Sequence, residues 1–299
     1  YLTPSNREDF FTFTRMLIGQ LRQVGKTHTA ERYVTVMNSF GRFRRENELL
    51  WEEVDSDLMV EYETYLKSRG VCPNTSSYYM RGLRAIYNRA VEKGKTVQRE
   101  PFKYVYTGID KTIKRAVPLK VIRQIRDLDL TLFPTMDFAR DIFMFSFYTR
   151  GMSFIDMAYL KKKDLQGGTL SYRRQKTGQQ LFVKWEKPMQ EIVDKYNTNG
   201  TPYLLPIIRD MNADIRRQYK NAAHLVNDKL KKLGEKLGLT VPLTSYVTRH
   251  GWASIARSRN IPLAIISEAM GHDSEKTTRI YLASLDTTSV DKANSRILK

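Results

Sequence analysis

Cysteine and histidine are scarce in this chain, which has one cysteine, Cys72, and four histidines among 299 residues. A single cysteine excludes an internal disulfide and a cluster of thiolate metal ligands. The scattered histidines do not have the spacing of a zinc site. We therefore expect no metal centre, and we expect Cys72 to be an ordinary loop or core residue.

Long apolar runs are also missing, since no stretch of about eighteen consecutive apolar residues occurs. The first residues, YLTPSNREDFF, do not show the basic-then-apolar pattern of a secretory signal. Because the sequence shows neither a membrane-spanning segment nor a secretory signal, we expect a cytoplasmic protein.

Positive charge is present in large excess. Fifty Lys and Arg residues against thirty-two Asp and Glu residues give a formal net charge of +18 and a pI near 9.8. Basic side chains displace the counterions condensed on phosphates, and the release of those ions drives binding. The composition therefore favours a nucleic acid as the partner. The alternatives are a basic surface that is only solvated, and a basic protein that binds acidic lipid or ribosomal RNA.

The first hundred residues have the apolar spacing of amphipathic helices joined by short loops, which predicts a helical bundle. The fourth of these helices carries Arg81, Arg84 and Arg89, which either extend over an aromatic core or face DNA. The four helices are predicted from Ser5 to Gly25, over 30–47, from a cap at Asp55 or Ser56 to Gly70, and from Asn74 to Gly94.

The helical pattern breaks between Lys95 and Pro118, a stretch with two prolines and a basic end formed by Lys111, Lys114 and Arg115. This break predicts a helical domain over 1–108, a linker over 109–117 and a second domain over 118–299. Within the second domain, residues 169–172 and 181–183 are β-prone and flank a Lys-Thr-Gly turn, which predicts a hairpin or small sheet among helices. The expected fold is mainly α with a small β-sheet or hairpin, with a mixed α+β second domain.

Four separated pieces of the second domain carry residues suited to phosphate chemistry: Arg150 in FYTRGMSF, Lys176 in YRRQKTGQQ, Arg249 in TSYVTRHGW, and GHDSEKTTRIY. In the last piece His272 precedes Tyr281 by nine residues. In order and spacing these pieces resemble the tyrosine recombinase (phage integrase) family. The segment TRGMSFIDMAYLKKKDL looks most like the corresponding segment of integrases and invertases of Bacteroides-type mobile elements. The resemblance covers nearly the whole chain and implies a helical, SAM-like core-binding domain followed by a catalytic domain.

The resemblance implies a role for each of these residues. An arginine fork donates two hydrogen bonds to phosphate oxygens and stays charged at any relevant pH, and a lysine on a flexible hairpin can reach a leaving oxygen. Because a phosphotyrosine conserves the bond energy, neither ATP nor a metal is implied as a cofactor. The implied roles are Tyr281 as the nucleophile that forms a 3′-phosphotyrosine, Arg249 and Arg150 as the phosphate clamp, Lys176 as general acid, and His272 as a phosphate-binding donor.

Two positions depart from the family pattern. The family's first arginine follows a glycine by two residues, where this chain has Ser153, a residue that also suits the start of the next helix. Arg150 is the preferred substitute, and the alternatives are Arg173, Arg174 or a purely structural Arg150. Tyr246 stands where the family commonly has histidine, so it either donates a hydrogen bond to phosphate or packs in the core. His250, next to Arg249, is expected to point elsewhere and to be either structural or a support for a neighbouring site residue.

The function implied is site-specific DNA recombination, meaning integration, excision or inversion of a DNA element. The alternatives are a catalytically impaired DNA-binding protein of the same fold and a type IB topoisomerase-like enzyme. The implied partner is double-stranded DNA, bound by a homo-tetramer on two DNA sites, with accessory DNA-bending factors and no membrane. The implied location is the bacterial nucleoid. The C-terminal tail is expected either to dock on a neighbouring protomer or to be a frayed end.

Overall fold

The computed structural model describes residues 9–45, 47–110, 116–272, 274–283 and 298, with the backbone alone for Ile280, Tyr281 and Ala283. Within these ranges the chain forms twelve α-helices and one three-stranded sheet, which confirms the predicted fold class. None of the described helices is both long enough and apolar enough to cross a bilayer. The chain divides into two compact units, Tyr1–Lys111 and Thr112–Lys299. The basic end of the predicted linker and nearly all of the C-terminal tail lie outside the described residues.

In its described residues the first unit contains four α-helices, close to the four predicted ones. Asp9 and Asp55 begin two of them, each carboxylate accepting a hydrogen bond from the backbone amide three residues on, at 2.8 and 2.9 Å. The apolar stripes face a core rich in aromatic rings. Cys72 is exposed directly before the fourth helix, so it occupies a loop. The helices are α1 (Phe10–Gln23), α2 (Thr27–Arg44), α3 (Ser56–Ser68) and α4 (Pro73–Glu92).

The chain that follows α4 returns to the start of that helix and is bound there. Ser77 Oγ donates to the carbonyl of Gly108 at 2.5 Å. The side chain of Asn74 exchanges two hydrogen bonds with the backbone of Asp110, at 3.0 and 2.8 Å. The packing of the helical unit therefore extends at least to Asp110.

Glu63, on α3, binds the same returning segment through a largely buried carboxylate. It accepts hydrogen bonds from the Tyr106 amide and from Lys67 Nζ, both at 2.8 Å. Burial raises the pKa of Glu63, but these donors outweigh burial and hold its pKa below the ordinary value. The ionised form therefore stabilises the fold above the pKa of an unfolded glutamate, about 4.3, and this contribution is lost as the pH falls through the lower pKa of the folded state.

We expect Glu63→Gln to destabilise the returning segment by roughly 1–3 kcal/mol at pH 7, because both hydrogen bonds lose their charged acceptor. Hydrogen exchange at the Tyr106 amide measures this loss as reduced protection. The difference from wild type should shrink as the pH falls through the lowered pKa of the folded Glu63 carboxylate, because the wild-type group is then protonated as well. Glu61→Gln, exposed on the same helix, is the control. A loss of the same size at every pH would contradict the assignment.

The second unit is built around one long apolar helix, α6, which is buried on most of its sides. It packs against α5, α8, α9 and α10, and the candidate site begins at its C-terminal end. The elements in chain order are α5 (Leu119–Arg126), α6 (Pro134–Tyr148), α7 (Phe154–Tyr159), β1 (Leu165–Gln166), β2 (Thr169–Arg173), β3 (Gln180–Lys184), α8 (Lys187–Asp194), α9 (Ile215–Lys236), α10 (Val247–Ser258), α11 (Leu263–Met270) and α12 (Glu275–Ala283).

The sheet has the order β1-β2-β3 and both pairings are antiparallel. Leu170 pairs with Val183 and Tyr172 pairs with Leu181, and all four side chains point into the core of the unit. This confirms the predicted hairpin, while the two-residue strand β1 was not predicted. The alternation of inward and outward side chains along β2 places the residues after Tyr172 at the edge of the candidate site.

Candidate active site

Arg249 lies in the buried first half of α10 and is only 5% exposed. Its neighbour Thr248 shares a 2.7 Å hydrogen bond with Ser146 on α6, which fixes α10 against the central helix. Arg249 Nη1 donates to the carbonyl of Gly151 at 3.1 Å, and Nη2 donates to the carbonyl of Met270. The guanidinium therefore joins the end of α6 to the end of α11.

Gly151 makes this contact possible because it has no side chain. Its φ is +77°, in the left-handed region that favours glycine. A Cβ at this position would lie 2.6 Å from Arg249 Cα, far closer than real contacts allow. The approach of Gly151 to Arg249 is a tertiary contact between segments almost a hundred residues apart.

Arg150 lies two residues after the end of α6 and is half-buried. The backbone of Arg150 is in the left-handed region, with φ +64°, which is an uncommon conformation for a residue with a Cβ. Among the residues that the structure describes, no group accepts a hydrogen bond from its guanidinium. Arg150 therefore keeps its donors available, unlike Arg249.

Tyr172 marks the place where three arginines converge. Burial raises the pKa of this phenol, and the carboxylate of Asp156 adds to the rise. The positive charges of Arg174, Arg249 and Arg150 act in the opposite direction, which puts all three within electrostatic reach of one buried ring. Sequence reasoning did not single out Tyr172, although its inward position on a predicted strand was a usable signal.

Arg174, the residue after β2, is held in a structural role. It is 7% exposed, its Nε lies 3.9 Å from Oδ2 of Asp156, and its Nη1 donates to the carbonyl of Gly271. Asp156 also accepts hydrogen bonds from Ser153 Oγ at 2.6 Å and from the Gln175 amide at 2.8 Å. Ser153 begins α7 as a capping residue, as its sequence context predicted. Arg174 thus links the start of α7, the hairpin and the turn before His272.

Lys176 occupies the turn between β2 and β3 and is exposed. The turn is closed by Arg173, which donates from Nη1 to the carbonyl of Gly178 at 2.7 Å. Arg173 and Arg174, which precede Lys176, both bind backbone carbonyls, whereas the side chain of Lys176 is exposed. A lysine on such a short hairpin is free to approach a group bound beside the arginines.

His272 lies in the turn between α11 and α12. Gly271, with φ +60°, ends α11, and the His272 amide donates to the carbonyl of Ser267 at 3.0 Å. The ring is half-buried, and its Nδ1 is 2.7 Å from the hydroxyl of Thr278 on α12. Tyr281 lies on α12 one turn further along, and its side chain is outside the described residues.

Tyr246 and His250 pack against each other at the start of α10. Their rings meet edge to face, with centroids 4.8 Å apart. Tyr246 is 51% exposed, so it does not pack in the core, one of the two roles considered from the sequence. His250 is buried and turned to the same side as Tyr246, as expected for a structural residue.

Arg249 binds the carbonyl of Gly151, the residue after Arg150, and the backbone before His272 is bound by Arg249 and Arg174. Buried guanidinium groups at the C-terminal end of α11 match the negative end of its dipole. The result is a cationic, partly buried surface suited to an oxyanion such as a phosphate diester. Among the described residues no cluster of metal-ligating side chains occurs.

Two tyrosine recombinases and a lambda integrase structure are similar to this chain. The tyrosine recombinase XerA of Pyrococcus furiosus is 26% identical over 178 residues, covering 58% of this chain and 58% of that protein. The tyrosine recombinase XerC of Syntrophus aciditrophicus is 26% identical over 281 residues, covering 86% of this chain and 87% of that protein. A lambda integrase tetramer bound to a Holliday junction matches the fold with a TM-score of 0.70 at 14% identity, covering 93% of this chain and 78% of that chain.

Two family models match the chain and together span most of it. The model of the phage integrase SAM-like domain matches residues 9–112, and that of the phage integrase family matches residues 134–288. The first match contains the described helices of the first unit, and the second contains Arg150, Lys176, Arg249, His272 and Tyr281. Since the second match alone covers more than half of the sequence, this chain belongs to the phage integrase family.

Proposed function

We propose that this chain is a tyrosine-type site-specific recombinase, which cuts and rejoins double-stranded DNA to integrate, excise or invert a DNA element. The observation that carries the proposal is the convergence of Arg150 and Arg249 beside the turn that leads through His272 to α12. Membership of the phage integrase family supports it, as does the net charge of +18, which suits a polyanionic substrate.

The proposed cleavage step needs only groups of this chain and the DNA. The phenol of Tyr281 loses its proton to solvent as its oxygen forms a bond to phosphorus. The bond from phosphorus to the 5′ oxygen breaks, and Lys176 gives that oxygen a proton. Arg150 and Arg249 stabilise the charge on the non-bridging oxygens, with His272 as a further donor. Attack by a 5′ hydroxyl on the phosphotyrosine reverses the step and reseals the strand.

Arg150 is the better substitute for the arginine that the family places at Ser153. Arg173 and Arg174 both donate to backbone carbonyls, and Arg174 is also paired with Asp156. Arg150 is half-buried and makes no side-chain hydrogen bond within the described part of the chain, so its fork remains available to a phosphate. Tyr246, exposed at the start of α10, is proposed as a phosphate donor in place of histidine.

We expect Arg150→Ala to slow cleavage by about 10²-fold or more, because one bidentate phosphate donor is lost. Ser153→Ala is the matched comparison at the family position. It removes a helix-capping hydroxyl and should cost roughly 1 kcal/mol of stability with cleavage little changed. Cleavage rates at saturating enzyme separate the two variants. A larger loss from Ser153→Ala than from Arg150→Ala would contradict the assignment.

The assembly proposed is a homo-tetramer on two DNA sites, assisted by DNA-bending factors. The lambda integrase structure with a similar fold is a tetramer on a Holliday junction, which supports this proposal by analogy of fold. We further propose residues 1–108 as the core-binding domain, 109–117 as the linker and 118–299 as the catalytic domain. Exchange of the C-terminal tail between protomers is part of the same proposal and concerns residues outside those described.

The proposed function is tested by trapping the covalent intermediate. A duplex selected from a random library for binding by this chain is nicked at successive positions, so that a short fragment is released after cleavage and religation is prevented. The wild-type protein should form an adduct that survives a denaturing gel at one nick position. Absence of an adduct at every position would favour the DNA-binding alternative, and relaxation of plasmids without the selected site would favour a topoisomerase.

A further inference from the structure

The hydroxyl of Thr278 contacts the imidazole ring of His272. Thr278 lies on α12 and is 0% exposed, and its Oγ1 is 2.7 Å from Nδ1 of His272. In the described part of the chain, this is the one hydrogen bond that its side chain makes. Its backbone amide donates separately to the carbonyl of Ser274 at 3.3 Å.

A buried hydroxyl needs an acceptor for its hydrogen, because a buried donor that is left unsatisfied loses its hydrogen bond to water without a replacement. The acceptor that the described structure offers to Thr278 is Nδ1 of His272. A ring nitrogen accepts only when it carries no proton, so the proton of the neutral ring must lie on Nε2. We infer that Thr278 is a positioning residue that holds neutral His272 in the Nε2–H form.

The consequence is a hydrogen-bond donor that does not depend on a positively charged imidazole. Under the proposed function, on which this step rests, His272 donates to a phosphate oxygen, and the Nε2–H form supplies that donor above the pKa of an ordinary imidazole, about 6.5. Thr278 also precedes Tyr281 by three residues on α12, and Leu282 of that helix is buried in a small core with Met270. One hydrogen bond therefore sets the donor and ties the ring to the helix that carries the nucleophile.

Removing the hydroxyl should produce a pH-dependent defect. Without it a neutral ring populates both tautomers, and the Nδ1–H form has no donor at Nε2. Below the pKa of the ring both nitrogens carry protons, so the Nε2 donor returns. The surrounding described elements carry other charged groups, which are the same in wild type and in every Thr278 variant; these are Arg249 on α10, Arg174 and Lys176 on the hairpin, Glu268 on α11, and Glu275, Lys276 and Arg279 on α12.

A second histidine, His250 on α10, needs a control. Asp273 follows His272 in the sequence and lies outside the described residues. Both are present in wild type and in every Thr278 variant. The ratio of the two rates at each pH therefore reports the change at Thr278.

The tautomer is measured on the full-length protein without DNA. Long-range ¹H–¹⁵N spectra of protein labelled at histidine distinguish the two forms, and His272→Asn assigns the resonance among the four histidines. At about pH 8 the wild type and Thr278→Ser should show the Nε2–H pattern, and Thr278→Val should show a mixture. A wild-type Nδ1–H pattern, or an unchanged pattern in Thr278→Val, would overturn the inference.

Adduct formation on the selected nicked duplex gives the functional readout. Thr278→Val should be slower than wild type by about twofold at pH 8, because a mixture of tautomers keeps only part of the Nε2–H donor, and should approach the wild-type rate at pH 6. Thr278→Ser should recover the wild-type rate, and Thr277→Val, exposed one residue away, is the control. A defect of equal size at both pH values would overturn the inference. A wild type that forms no adduct but shows the expected tautomers would overturn the proposed function alone.

Discussion

Tyr281→Phe should bind the selected duplex as wild type does and form no covalent adduct with it. The substitution removes one oxygen and keeps the aromatic ring, so the atom that we propose as the nucleophile is lost with little other change. Loss of a nucleophile typically costs on the order of 10⁴-fold or more in rate, which in this assay means no detectable adduct.

A gel-shift measurement on the intact duplex accompanies the adduct assay, because it separates loss of chemistry from loss of binding. Tyr104→Phe is the matched control, since Tyr104 is 67% exposed in the first unit and outside the candidate site. If Tyr281→Phe still formed an adduct at the wild-type position on the DNA, another residue would be the nucleophile.

Arg249→Ala should have the second-largest effect, a loss of about 10²- to 10³-fold or more in the rate of cleavage. Two causes combine in this variant. Under the proposed function the phosphate loses a cationic donor, and the carbonyls of Gly151 and Met270 lose the group that joins them. We therefore expect a drop in thermal stability together with the drop in rate.

Arg249→Lys separates these two causes. Lysine keeps the positive charge but does not present the planar fork that bridges two acceptors. It should recover part of the stability and little of the rate. Arg257→Ala, exposed on the same helix, removes an equal charge away from the site and should retain both stability and activity. A wild-type rate in Arg249→Ala would contradict the role assigned to this residue.

Much of the local structure could be predicted because its causes are local. Asp55 begins α3, Gly271 ends α11, and the hairpin follows from two β-prone runs on either side of a Lys-Thr-Gly turn. Each depends on residues within a few positions of one another, where capping and left-handed backbone have recognisable residue types. The resemblance to the phage integrase family supplied the candidate residues themselves.

The partners of the site residues could not be predicted because they come from distant parts of the chain. The sequence left Arg173, Arg174 and Arg150 as competing candidates, and only the fold places Arg174 against Asp156 and Gly271. In the same way, nothing in the local pattern brings Gly151 against Arg249. Such contacts arise from packing of whole elements, which determines which arginine is paired and which keeps its donors available.

The role of Thr278 was hidden for a different reason. A threonine within a short amphipathic helix is common, and its burial depends on how α12 packs against α11. Once that packing is known, the elementary donor and acceptor inventory of threonine and histidine is enough to assign the tautomer. The hydrogen-bonding role of Thr278 could be inferred only after the fold had placed it beside His272.

The most direct measurement is identification of the residue that becomes attached to DNA. The adduct trapped on the nicked duplex is digested with nuclease and protease, and the modified peptide is sequenced by tandem mass spectrometry. We predict a nucleotide joined through a 3′-phosphate to the oxygen of Tyr281, within a peptide from α12. Attachment to any other residue, or absence of a modified peptide from DNA-bound wild-type protein, would contradict the account.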